Sequence, residues 1–115
     1  MKIKATVRSV RGVRIRLTHK QWNHIITARP KLKGFQRQIP QTVEEPDEVY
    51  APPPHLKPQL HAIKRFEELA KAGLAEFLVV VYRELTPMEG FIITAFPISD
   101  RRKQRKYQQW QRVYP

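Results

Sequence analysis

Histidine, lysine, arginine, tyrosine and threonine are the side chains with chemistry to offer in this sequence. The chain holds four His, 22 Lys or Arg and four Tyr, and it has no Cys. Such a set suffices for metal-free cleavage of RNA. An imidazole can take the proton from a ribose 2′-hydroxyl, cations can hold the charge that grows on phosphorus, and a second donor can serve the leaving oxygen. Other chemistries lack their residues. There is no glycine-rich phosphate loop, no His-x-x-x-His pair and no Gly-x-Ser-x-Gly elbow. His19 and His24 have poor spacing for one metal on one helical face, and His55 and His61 stand too far from other ligands in sequence to argue a site. No acidic pair lies in a basic setting, which disfavours metal-dependent hydrolysis. Neither a metal nor another cofactor is expected. The lack of cysteine excludes disulfides and thiolate ligands and fits a reducing cytoplasm.

Charge narrows the partner. A net charge of +12 points to a polyanion, with nucleic acid the first candidate. The distribution is uneven: residues 1–43 hold eleven Lys or Arg and no acid, and Arg101–Lys106 adds five more cations. A merely solubilising surface mixes its signs. No apolar run is long enough for a membrane span, and nothing at the start reads as a signal peptide.

The elements that must position these side chains fit one compact domain of 115 residues. Ala75–Ile98 organises it: two apolar, β-branched runs joined by a segment with Pro87 and Gly90, a strand–turn–strand signal. Phe77–Val81 leaves no polar position, as in a central strand buried on both faces. With Thr86–Gly90 as the loop, Tyr82 opposes Thr94 and the two hydroxyls share a face. Residues 1–17 alternate apolar and basic around Arg11-Gly12, a hairpin or arm. Thr18 and Gln21 form a Thr-x-x-Gln capping box for a helix that Pro30 stops. Leu17 and Trp22 are placed to staple that start. Pro40–Glu45 reads as a short helix and Asp47–Ala51 as a strand, with Pro52–Pro54 and Pro58 a stiff connector. A strand to about Phe66 precedes a helical turn that Gly73 ends. Ser99–Val113 reads as a basic helix or tail that returns Trp110 to the body.

The order of these pieces resembles a family. His24-Ile25 and Arg29-Pro30 come first, then Glu45-Pro46-Asp47-Glu48-Val49, Leu78–Val81, Phe91–Pro97 and a late Trp110. This order is similar to the phage- and toxin-associated nucleases of the barnase–EndoU–colicin–RelE-like superfold, over roughly residues 17–112. The resemblance implies an α+β fold with one or two N-terminal helices packed on a twisted antiparallel sheet of about four strands. It also implies metal-independent RNase activity, usually as a toxin. Carried onto this chain, it makes His24 the general base or acid, Arg29 and Arg65 phosphate ligands, and Thr94 a polar contact near the reacting phosphate. One departure stands out: Arg29-Pro30-Lys31 lacks the His that relatives tend to carry after that Arg. A proton carrier is missing, which puts turnover, though not RNA binding, in doubt.

The expectation is therefore one nuclease-like domain over 1–115: a basic hairpin or arm at 1–17, helices at 18–45, an antiparallel sheet at 47–98 and a basic helix or tail at 99–115. The catalytic set is His24, Arg29, Arg65 and Thr94. Lys33, Tyr82, Arg83, Arg101, Arg102, Lys106 and Arg112 are expected to bind substrate, with Tyr107 and Trp110 placed to stack on bases. RNA is the expected partner and cytoplasm the expected compartment; an acidic antitoxin or inhibitor protein is a second partner. Each residue also has a plainer reading. His24 could be a hydrogen-bonded structural histidine, Thr94 a strand former, Arg65 and Arg83 snorkelling edge residues, and Trp110 a core plug. The alternative function is a basic nucleic-acid-binding module without turnover.

Overall fold

The computed structural model describes residues 2–115. Strands β1 (Ile3–Arg8) and β2 (Arg14–Thr18) form the N-terminal hairpin, turning through Gly12 at φ 80°. Helix α1 (His19–Ala28) follows, then a 3-10 turn over Pro30–Phe35 and helix α2 (Gln38–Glu44). Next come β3 (Glu48–Ala51), β4 (Leu60–Arg65), helix α3 (Glu67–Lys71), β5 (Phe77–Glu84) and β6 (Glu89–Ile98). Helix α4 (Asp100–Lys106) and β7 (Gln111–Tyr114) complete the chain.

All seven strands join one mixed sheet in the order β1-β2-β6-β5-β4-β3-β7. This corrects the expectation of an antiparallel sheet of about four strands. Both terminal segments add to the sheet. The N-terminal hairpin docks through a short parallel pairing, Arg14–Arg16 of β2 against Glu89–Phe91 of β6. At the other edge, residues 111–114 of the basic tail pair antiparallel with β3 as β7. Between these additions, β6, β5, β4 and β3 are antiparallel neighbours.

Strand β5 lies at the centre and is buried on both faces, which is why its apolar run has no polar alternation. On one face Leu78, Val80 and Tyr82 pack in a layer with Ile15, Leu17, Trp22, Ile25, Ile39 and Val43, drawn from β2, α1 and α2. On the other, Val79 and Val81 meet Ile63, Ile98 and Tyr107. Each buried aliphatic side chain contributes roughly 1.5–3 kcal/mol.

The central hairpin differs in register from the expected one. Glu84 opposes Gly90 and Tyr82 opposes Ile92; a bulge then brings Thr94 opposite Val81. The extra residue in β6 moves Thr94 to the face opposite Tyr82, so their hydroxyls do not share a face. Gly90 is where three strands crowd together: a Cβ there would collide with the Arg83 carbonyl oxygen and come within 2.9 Å of Ile15 Cδ1.

Candidate nucleic-acid interface

The parallel pairing with β2 ends at Phe91, so from Ile92 onward α1 rather than another strand lies beside β6. The helix start explains how it is held. Thr18 Oγ1 accepts the Gln21 backbone N–H at 3.1 Å, half of the expected capping box. The Gln21 side chain is used elsewhere: Nε2 donates to the Ile93 carbonyl and ties α1 to the edge of β6. The helix stops before Pro30, and the Arg29 N–H caps it by donating to the Ile25 carbonyl at 2.9 Å. That stop leaves the Arg29 guanidinium 5.4 Å from the centre of the Phe96 ring.

Helix α4 forms the opposite wall. Ser99 Oγ caps it by accepting the Arg102 N–H at 3.3 Å. Its attachment is electrostatic. Lys103 Nζ lies 2.6 Å from Glu48 Oε1, Arg112 lies 3.7 Å from Oε2, and Tyr50 Oη donates to the same carboxylate at 2.9 Å. Burial alone would raise the Glu48 pKa. Hydrogen bonds from Lys103 and Tyr50, with the charges of Lys103 and Arg112, outweigh it and hold the carboxyl below its ordinary value. Burial, then this carboxylate, pushes the Tyr50 phenol up. Lys103 and Arg112 are thereby neutralised as anchors.

Between the walls runs a groove of about 580 Å³ whose floor includes Leu32, Phe96, Pro97 and Ile98. Arg29, Lys31, Arg102 and Lys106 line it, and no carboxylate does. Lys106 Nζ stands 5.9 Å from the Phe96 ring centre, so this ring has a cation on it from each wall. Pro97 has no backbone N–H to leave unpaired, which suits the β6 stretch beyond the reach of β2.

Of the expected site residues, Arg29, Arg102 and Lys106 converge here, joined by Lys31. Thr94 is half-buried, two residues before Phe96 in the same strand. His24 is exposed one turn after Gln21 and has no hydrogen-bond partner among the described residues. Other positions do not join the groove. Arg65 lies 5.9 Å from the Phe77 ring and Arg112 is paired with Glu48. Lys33, Arg83 and Arg101 are exposed on the 3-10 turn, β5 and α4. Tyr82 is fully buried with no partner for its hydroxyl among the described residues, so the expected substrate contact there is replaced by a core position. Burial raises its pKa, and the Glu84 charge adds to that.

One histidine dismissed from sequence sits in a cluster. The His61 ring centre is 4.6 Å from that of Trp110, 5.6 Å from Tyr107 and 6.3 Å from Phe96. Its Nδ1 is 2.7 Å from Tyr107 Oη, and Tyr50 stacks on Tyr107 at 4.9 Å. Burial, then the Lys106 charge, lowers the His61 pKa to about 4, whereas burial raises that of Tyr107. The expectation that Trp110 returns to the body was the only sequence signal for this cluster, because its members come from β3, β4, β6 and the chain after α4.

Among the described residues, no group of acidic and histidine side chains could hold a metal ion, and no helix is long and apolar enough to cross a membrane. In comparisons with known proteins, no family model matches the chain, and neither curated proteins nor solved structures give a significant match.

Proposed function

We propose that the chain binds single-stranded nucleic acid, with RNA the first candidate, along the groove between the turn that follows α1 and helix α4. The observation that carries this reading is the convergence of Arg29, Lys31, Arg102 and Lys106 on one groove, two of them over Phe96, with no carboxylate among the described residues that line it. Cations that track a phosphate chain, set around an aromatic ring, are what strand binding without sequence preference requires. The net charge of +12 adds long-range attraction for a polyanion. Cytoplasm, where RNA is abundant, is the compartment this reading expects.

Salt titration of oligonucleotide binding tests it. Four phosphate contacts give a slope of log affinity against log salt of about −3 for a single strand. The Arg102→Ala/Lys106→Ala variant loses about 100-fold in affinity at low salt, with a slope shallower by about 1.4, and keeps its thermal midpoint. Binding of wild type and variant with equal affinity would remove the groove from consideration.

Metal-independent RNA cleavage is the second reading, and one observation favours it. His24 is three residues after Gln21, hence on the same helical flank, and Gln21 reaches the β6 edge next to Thr94. On this reading, fragments with 2′,3′-cyclic phosphate ends form in chelator and vanish in His24→Ala, and a toxin of this kind would also take an acidic antitoxin. Intact RNA after prolonged incubation with saturating protein rejects it and leaves the binding reading standing.

A further inference from the structure

We propose that a second cavity next to the groove, lined by His61, Trp110, Gln59 and Lys57, receives one unpaired nucleobase of the bound strand. The inference rests on the groove being a single-strand path. Lys106 lines both spaces, so a strand leaving the groove passes directly over the second. This cavity measures about 390 Å³, with Pro52 and Leu56 completing its apolar wall. Its makeup differs from that of the groove. Instead of a row of cations over a phenyl ring, it offers an indole and a buried imidazole, with a lysine on each side.

The imidazole supplies the argument for a base. His61 is 8% exposed, and its Nδ1 is engaged by Tyr107 Oη. The phenolic proton has no other acceptor among the described residues, so it goes to Nδ1 and places the ring proton on Nε2. Nε2 is not among the side-chain atoms sealed in the core without a partner, so it is open to the cavity. Here Nε2 has no protein partner among the described residues, and the residue lines a cavity. The neutral ring therefore presents one N–H donor, with the Gln59 amide nearby on the same wall. Every nucleobase has an acceptor edge to meet such donors and a π face to lie on Trp110. Lys57 and Lys106 are placed for the flanking phosphates.

Comparison of two ligands on the wild-type protein tests this without risk to folding. One is a single-stranded 12-mer of uridine; the other has the same phosphates but abasic sugars. The uridine strand is expected to bind about tenfold more tightly, the worth of one base–aromatic stack, and to quench tryptophan emission. His61→Phe keeps the ring volume, removes the donor, and narrows the preference while leaving abasic binding unchanged. Equal binding of both strands, with unaltered emission, overturns the base site and leaves the groove intact. Binding of neither strand overturns both proposals together.

Discussion

On one face of β5, Leu78, Val80 and Tyr82 meet carbon-rich side chains from β2, α1 and α2. On the other, Val79 and Val81 share their layer with His61, Tyr107 and Trp110, beneath the cations of α4. The first layer is broad and aliphatic, and its one tyrosine hydroxyl is unpaired among the described residues. The second is smaller, and its polar tips are matched in two sets: the His61 imidazole to the Tyr107 phenol, and the Glu48 carboxylate to the Tyr50 phenol and the Lys103 ammonium. The contrast separates two jobs carried by one sheet. Aliphatic burial holds the sheet together, whereas the aromatic layer holds a basic helix beside a groove at modest energetic return. Substitutions on the first face should therefore alter stability at any pH, and those on the second should alter binding and the dependence of stability on pH.

The largest effect belongs to the seam of the first face. Gly90→Ala forces a methyl group into the Arg83 carbonyl and toward Ile15, so β6 must part from β5 or β2. A loss of about 3 kcal/mol is expected, read as a lower denaturant midpoint. An unchanged midpoint would mean that the parallel pairing contributes little to the fold.

A second effect separates the faces by pH. His61 has its pKa lowered to about 4 in the folded chain, against an ordinary value of 6.5. A lowered histidine pKa means the unfolded chain binds the proton first. Its contribution is therefore complete above pH 6.5 and is lost progressively as pH falls toward 4. Between pH 7 and pH 5 that loss is about 2 kcal/mol, and His61→Phe should abolish it. Glu48 has linkage of the same sign at lower pH: its depressed carboxyl stabilises above 4.5 and loses that contribution only below. Unfolding curves at pH 7 and pH 5 thus isolate the imidazole. A wild-type midpoint that does not move between them would place His61 in contact with solvent rather than in the aromatic layer.

The sequence carried the local elements further than the architecture. Thr18, Pro30 and Gly73 mark helix ends because caps, prolines and positive-φ glycines act on neighbouring residues only. The central strand was legible for the same reason: five apolar residues in a row suit a strand covered on both sides. The joining of β2 to β6 was not, because parallel partners 75 residues apart leave no local pattern. Nor was the bulge at Ile93, and that one residue reverses which hydroxyl faces which layer. At the groove, Arg102 and Lys106 were singled out through charge and Arg29 through the family resemblance, but His61 was not. Its meaning comes from Tyr107 and Trp110, contributed by a distant segment, and a lone histidine in an alternating strand has no signature.

The smallest effect tests the aliphatic face through the residue once expected to touch substrate. The Tyr82 hydroxyl is buried without a partner among the described residues, and a buried donor left unmade costs about 1–3 kcal/mol. Tyr82→Phe removes the donor and keeps the ring, so the variant should gain about 1 kcal/mol, with no change in the slope of its denaturant curve. Its oligonucleotide affinity should match that of wild type, because the side chain points into the layer with Ile15 and Val80 rather than toward the groove. A loss of stability instead would mean that an ordered water satisfies the phenol, and the aliphatic layer would then hold a polar pocket of its own. A loss of affinity would show that the two faces are coupled through β5, and the separation of fold from binding would fail at the sheet's central strand.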